Sequence, residues 1–140
     1  MTNNIFNSDF NDFLSSFERA GVEYVLVGGY SVIIHGYQRT TGDMDLFVNP
    51  TSENYSKIIH AFDEFGMSLF SMTLERFLNI KEFDVFEFGR PPVSIDIMTK
   101  MKGVEFEEVF NNKVRYQVEE DLIINVIHLN QLITAKKSSA

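Results

Sequence analysis

The alternation in Asp43-Met44-Asp45-Leu46-Phe47-Val48 constrains this chain more than any other feature of its sequence. Residues i and i+2 of a strand point to one face, so both carboxylates project together while Met44, Leu46 and Val48 project into a core. Two like charges that close repel strongly unless a cation sits between them. The segment thus predicts a strand with one face buried and the other offering either a metal site or a solvated acid pair at a strand end.

Val93-Ser94-Ile95-Asp96-Ile97 repeats the pattern with a third acid. Val93, Ile95 and Ile97 share one side, and Asp96 lies on the other. An acid in mid-strand costs stability unless it is paired, hydrogen-bonded or metal-bound, or unless its sheet face is solvated. Upstream, Gly28-Gly29 follow the apolar run Val22–Val27 and precede the short apolar stretch Tyr30–Gly36, a strand–turn–helix pattern. Glycine lets backbone approach a ligand closely, and free N–H groups at a helix start favour phosphate. A glycine pair at such a turn also occurs for geometry alone.

Helix periodicity fills in the rest. Phe10, Phe13, Leu14 and Phe17 predict a helix from Asp9 to Ala20, capped by Ser8 or Asp9 and stopped by Gly21. Thr51 or Ser52 should cap a helix with Tyr55, Ile58, Ile59, Phe62 and Phe65 on one face, ending at Gly66. Met67–Met72 reads as a strand and Leu74–Asn79 as a short helix. Glu82–Phe88 pairs with Val93–Met98 across a Gly89-Arg90-Pro91-Pro92 turn. Glu105–Asn111 is a helix, Val114–Val118 and Leu122–Val126 are strands, and His128–Lys137 closes the chain as a helix. The order predicts an α/β (α+β) domain spanning 1–140, a mixed β-sheet flanked by helices.

Composition narrows the function. With no Cys, disulfides and thiolate metal sites are excluded. A formal charge of −8 argues against a protein that coats nucleic acid, so no extended nucleic-acid groove is expected. It leaves room for a nucleotide, because bound cations neutralise clustered carboxylates. Met1–Asn7 has no signal-peptide character and no run reaches the roughly 18–20 apolar residues of a membrane span, so the expectation is a cytoplasmic protein with no membrane partner. His35, His60 and His128 lack ligand spacing, and Asp84 reads as solvated.

Taken together, Gly28-Gly29, thirteen intervening residues, Asp-x-Asp on a strand and a third Asp on a later strand resemble the DNA polymerase β-like nucleotidyltransferase superfamily. The text LVGGYSVIIHGYQRTTGDMDLFV (Leu26–Val48) is similar to the small bacterial nucleotidyltransferase-like proteins, relatives of abortive-infection toxins among them. FGRPPVSIDIM (Phe88–Met98) and GVEFEEVF (Gly103–Phe110) look like the same group, so the resemblance covers most of the chain.

The resemblance implies a nucleotidyltransferase fold and a Mg²⁺- or Mn²⁺-dependent enzyme that takes a nucleoside triphosphate such as ATP. Asp43 and Asp45 would hold the metal that grips the triphosphate, and Asp96 would complete a second metal position or act as general base. Gly28, Gly29 and Ser31 would contact the phosphates. Arg39 could pair a phosphate bidentately, against the default of a surface arginine. Lys136 resembles a helix lysine that points toward the site in this group, with a solvated helix end as the alternative. In that group the chain usually continues past this helix with a basic residue and an Asp. Here it stops at Ser138-Ser139-Ala140, so either the chain is truncated or a substrate-contacting segment is missing.

The implied reaction moves a nucleoside monophosphate to a hydroxyl on RNA such as tRNA, on a partner protein or on a small molecule, and releases pyrophosphate. Phosphatases of the haloacid-dehalogenase type and glycosyltransferases also use Asp-x-Asp. The first place it at the end of an apolar strand, whereas Arg39–Gly42 is polar, and the second need a larger upstream domain. The alternative of another class is a weakly catalytic, regulatory or antitoxin-like interaction module of the same fold, as in toxin–antitoxin pairs.

Overall fold

The computed structural model describes residues 6–90 and 93–139. Six strands form one mixed sheet: β1 (Tyr24–Val27), β2 (Asp43–Val48), β3 (Val85–Arg90), β4 (Val93–Met98), β5 (Val114–Glu119) and β6 (Leu122–Val126). Their spatial order is β3-β4-β2-β1-β6-β5. β2 runs parallel to β4 and antiparallel to β1, β1 runs parallel to β6, and β3/β4 and β5/β6 are antiparallel pairs. Six helices cover the sheet: α1 (Ser8–Ala20), α2 (Gly28–Ile34), α3 (Ser52–Phe65), α4 (Leu74–Leu78), α5 (Phe106–Asn111) and α6 (Leu129–Ser139).

Strand parity divides the interior in two. Tyr24 and Leu26 of β1, Met44, Leu46 and Val48 of β2, and Ile95 and Ile97 of β4 enter a large core beneath α1, α3 and α4. Its centre is aromatic: Phe13 meets Phe62 and Phe65 edge-on at centroid distances of 5.5 and 5.2 Å, and Phe17 packs on Tyr24 at 5.6 Å. Such pairs contribute about 0.5–1.5 kcal/mol each beyond the area they bury. Val25, Val27 and Phe47, of opposite parity, join Phe106, Val109, Ile127, Leu132 and Ala135 in a smaller core beneath α5 and α6.

A buried amide anchors β1, β2 and α3 to one another. Asn54 Oδ1 accepts from Glu23 N at 2.7 Å, and its Nδ2 donates to Glu23 O and Asn49 O at 3.0 and 2.9 Å. Thr51 caps α3 through Asn54 N at 3.1 Å. With its polar atoms bonded, this buried side chain escapes the desolvation cost that would otherwise count against it.

Several expectations need correction. The cap of α1 is Asn7, whose side chain accepts from Phe10 N at 2.9 Å; it lies one residue before Ser8 and captures the amide three residues on. Residues 67–72 turn rather than extend. Phe70 adopts φ 49°, and Ser68 Oγ accepts from its N–H, a local bond that competes with sheet pairing. Ile59 stands off the buried stripe of α3 and is exposed. Gly89 and Arg90 belong to β3, since its pairing with β4 continues to Arg90 opposite Val93; Pro91 and Pro92 lie outside the described residues. Gly28 and Gly29 are the first residues of α2 rather than a turn preceding it. No helix among the described residues is long and apolar enough to cross a membrane.

Candidate active site

The parallel pairing of β2 and β4 sets Asp45 opposite Asp96 and Asp43 opposite Ser94. All four lie on the sheet face opposite the aromatic core, and Phe47 continues that row into the smaller core. The apolar neighbours Met44, Leu46, Ile95 and Ile97 are fully or almost fully buried, so the carboxylates cannot exchange faces without turning the core to solvent.

Charge repulsion and burial then act on the acids. Desolvation, followed by the negative charge of Asp96 and a hydrogen bond between the two carboxyls, pushes the Asp45 carboxyl up to about 7. Asp96 is also raised, by desolvation first and then by the charges of Glu87 and Asp43, while the bond from Asp45 partly offsets this. A shared proton is what two closely placed carboxylates adopt without a cation. Asp43 is more exposed, at the open end of the cluster.

The glycine pair is built into the same site. Gly28 has φ +68°, and a Cβ there would collide with Asp45 Oδ2. A Cβ on Gly29 would lie 2.5 Å from Thr41 Oγ1. Both positions therefore require glycine, the first for conformation and space, the second for space. Ser31 is buried and donates its hydroxyl to Gly28 O at 2.6 Å, so its proton serves the turn itself. Arg39 is exposed in the segment entering β2, and its positive charge is felt at Asp45, where it opposes the upward shift. Lys136 is exposed in the last turn of α6 and is not among the groups whose charge acts on Asp45 or Asp96. His35 closes α2 with Nε2 2.6 Å from Ile127 O.

One acid escaped the sequence reading. Glu87 of β3 sits opposite Asp96 on the face away from Phe86 and Phe88. With Asp43, Ser94, Gly89 and Asp96 it lines an open cleft of about 220 Å³. The signal was present: facing residues of an antiparallel pair have numbers that sum to a constant, and Arg90 opposite Val93 sets Glu87 against Asp96. Asp84, just before β3, stays exposed as expected.

Compared by sequence, the chain matches no protein family and no curated protein. Compared by structure, it is similar to the crystal structure of a candidate nucleotidyltransferase from Thermotoga maritima, with a TM-score of 0.59 and 15% identity. The match covers 91% of this chain and 80% of that one. Six strands in mixed order between two helical layers thus form a fold similar to that of a nucleotidyltransferase.

Proposed function

We propose that this chain is a metal-dependent nucleotidyltransferase that moves a nucleoside monophosphate from a nucleoside triphosphate to a hydroxyl acceptor. The observation that carries this reading is the Asp45–Asp96 pair, forced together by strand register, with Gly28 packed on the carboxylate. The donor set fits Mg²⁺ or Mn²⁺: carboxylate oxygens suit a hard cation, and a cation can take the place of the shared proton. Asp43, Asp45 and Asp96 would hold it. Once bound, it supplies positive charge to the attacking and leaving oxygens of an in-line displacement.

The protein's own groups carry the remaining work. Gly28 and Gly29 let the triphosphate approach the backbone, and Arg39 adds a positive charge on that side. The acceptor oxygen bonds to the α-phosphorus, the bond from that phosphorus to the bridging oxygen breaks, and pyrophosphate leaves. Asp96 either completes a second metal position or takes the hydroxyl proton, its carboxyl raised by burial first and then by the charges of Glu87 and Asp43. No Cys is present for a covalent route.

The acceptor hydroxyl belongs to RNA such as tRNA, to a partner protein or to a small molecule, and a toxin–antitoxin setting in the cytoplasm suits all three. The test is incubation with each labelled nucleoside triphosphate, Mg²⁺ and cell extract, followed by identification of the labelled product and of pyrophosphate. A second reading, a regulatory or antitoxin-like module with little turnover, is favoured by one feature. Among the described residues, no group of three acidic or histidine side chains already converges as a metal cage. Nucleotide bound with Mg²⁺ but transferred to nothing in the extract would select that module.

A further inference from the structure

The open edge of the sheet carries a second opening, back to back with the carboxylate cleft. β3 is an outermost strand, and its alternation sends Glu87 to the carboxylate face and Phe86 and Phe88 to the face of the aromatic core. On that side Phe70, Phe83, Phe86 and Phe88 line a groove of about 310 Å³ together with Ser71 and Arg76. Phe83 and Phe86 lie nearly parallel, at 21° with centroids 6.5 Å apart, and Phe70 is tilted by 30° on Phe88 at the same distance. Phe70 is 71% exposed, more than any other large apolar side chain among the described residues, and its backbone holds φ 49°. A left-handed conformation costs a residue with a side chain about 1–3 kcal/mol, and folding alone gives no reason to display a ring at that cost.

The chemistry of the groove is that of a base-stacking site. A nucleobase of any identity stacks on an aromatic face, which contributes about 1–3 kcal/mol per base. Arg76 adds a cation: its guanidinium lies 5.3 Å from the Phe83 centroid. Its bond to Ser71 O is long, at 3.4 Å, and is readily exchanged for a phosphate next to the base. Glu87 and Phe88 line both this groove and the carboxylate cleft, so the two openings meet across β3. They lie on opposite faces of the strand. One nucleoside cannot fill both, whereas two successive nucleotides of a chain can. A peptide added to the edge of β3 would bond the strand's backbone and use neither the guanidinium nor the ring faces.

We propose that this groove holds the acceptor: an unpaired base of single-stranded RNA stacks on Phe70 and Phe83 beside Arg76, and the next nucleotide rounds β3 to present its terminal hydroxyl to Asp96. This rests on the nucleotidyltransferase reading and deepens it by naming RNA as the acceptor. A slot for one base agrees with a formal charge of −8, which opposes a long nucleic-acid track.

The experiment measures binding of fluorescein-labelled oligoadenylate, oligocytidylate and oligouridylate RNA by anisotropy in Mg²⁺, for the parent, Phe70→Ala, Phe70→Trp and Arg76→Gln. Phe70→Ala should weaken the tightest of the three about tenfold or more, the loss of one stacking contact. Phe70→Trp keeps a ring and should stay within about threefold of the parent. With rising salt, Arg76→Gln should lose affinity less steeply than the parent, because one phosphate contact is gone. Equal affinity of Phe70→Ala and parent would overturn the inference. So would a parent that binds none of the three RNAs, or a labelled product from cell extract that is protein. In each of those cases, pyrophosphate released by the parent and not by the Asp43→Asn, Asp45→Asn double variant would leave the nucleotidyltransferase reading standing. RNA bound through Phe70 with no pyrophosphate released from any nucleoside triphosphate would sink that reading, and the acceptor role with it.

Discussion

Asp45 of β2 and Asp96 of β4 are register partners on adjacent parallel strands, and burial followed by neighbouring negative charge raises both carboxyls. That arrangement links fold stability to pH. Both carboxyls are raised above their ordinary values, so the folded protein binds more protons than the unfolded chain in the window above the ordinary carboxylate value. The contribution is fully present below about pH 4 and is lost as pH rises through about 7, the value of Asp45. Chemical denaturation across pH 4 to 8 should show this decline, and Asp45→Asn should flatten it and stabilise the protein at pH 8. An unchanged slope in the variant would refute the shared proton.

Metal should relieve the same repulsion. Mg²⁺ or Mn²⁺ is expected to raise the melting temperature, and the Asp43→Asn, Asp45→Asn double variant to abolish the gain. Because the cation must displace the Asp45 proton, the affinity for Mn²⁺ should rise with pH through about 7. A double variant that responds to metal as the parent does would show that the cluster holds none.

Turnover should depend on Asp96 far more than nucleotide binding does. Asp96→Asn is expected to cut kcat by about 10²-fold or more, the scale of general-base catalysis, while nucleotide affinity changes little. Glu87→Gln removes a charge that raises Asp96, so the acidic limb of the pH–rate profile should move to lower pH. A shift to higher pH would mean that Glu87 does not act through Asp96.

Gly28 offers a test of geometry. Alanine there adds a Cβ into Asp45 Oδ2 and places a side chain at φ +68°. Gly28→Ala should lower stability by about 1–3 kcal/mol and weaken Mn²⁺ binding by displacing the carboxylate. Gly21→Ala, at φ +71° with open space around it, should cost stability without touching metal binding. Matching losses of metal affinity in the two variants would break the proposed contact between turn and carboxylate.

How far these features were legible depends on the range of the forces behind them. β2 and β6 occupy the bounds that alternation predicts, and α3 begins after Thr51, because periodicity and capping are local. The helix stops at Gly21 and Gly66 are local too, each a left-handed glycine. The order β3-β4-β2-β1-β6-β5 is set by contacts between distant segments, which no window of sequence displays. Residues 67–72 misled because their apolar content resembles a strand, while one serine hydroxyl and one left-handed phenylalanine decide the path. Glu87 was missed because its partner depends on β3 pairing with β4 as far as Arg90 opposite Val93, a matter of register rather than composition.

The parity of β2 has a consequence for how this protein can change over time. Even-numbered positions face the aromatic interior and odd-numbered positions 43 and 45 face the other side of the sheet, so selection for a foldable chain and selection for chemistry fall on alternating letters of one short word. A lineage could lose its acids at 43 and 45 and keep its scaffold, or even gain robustness, since the repulsion would vanish with them. Silent descendants that retain the architecture without the proposed reaction are therefore an easy evolutionary step from a chain like this one.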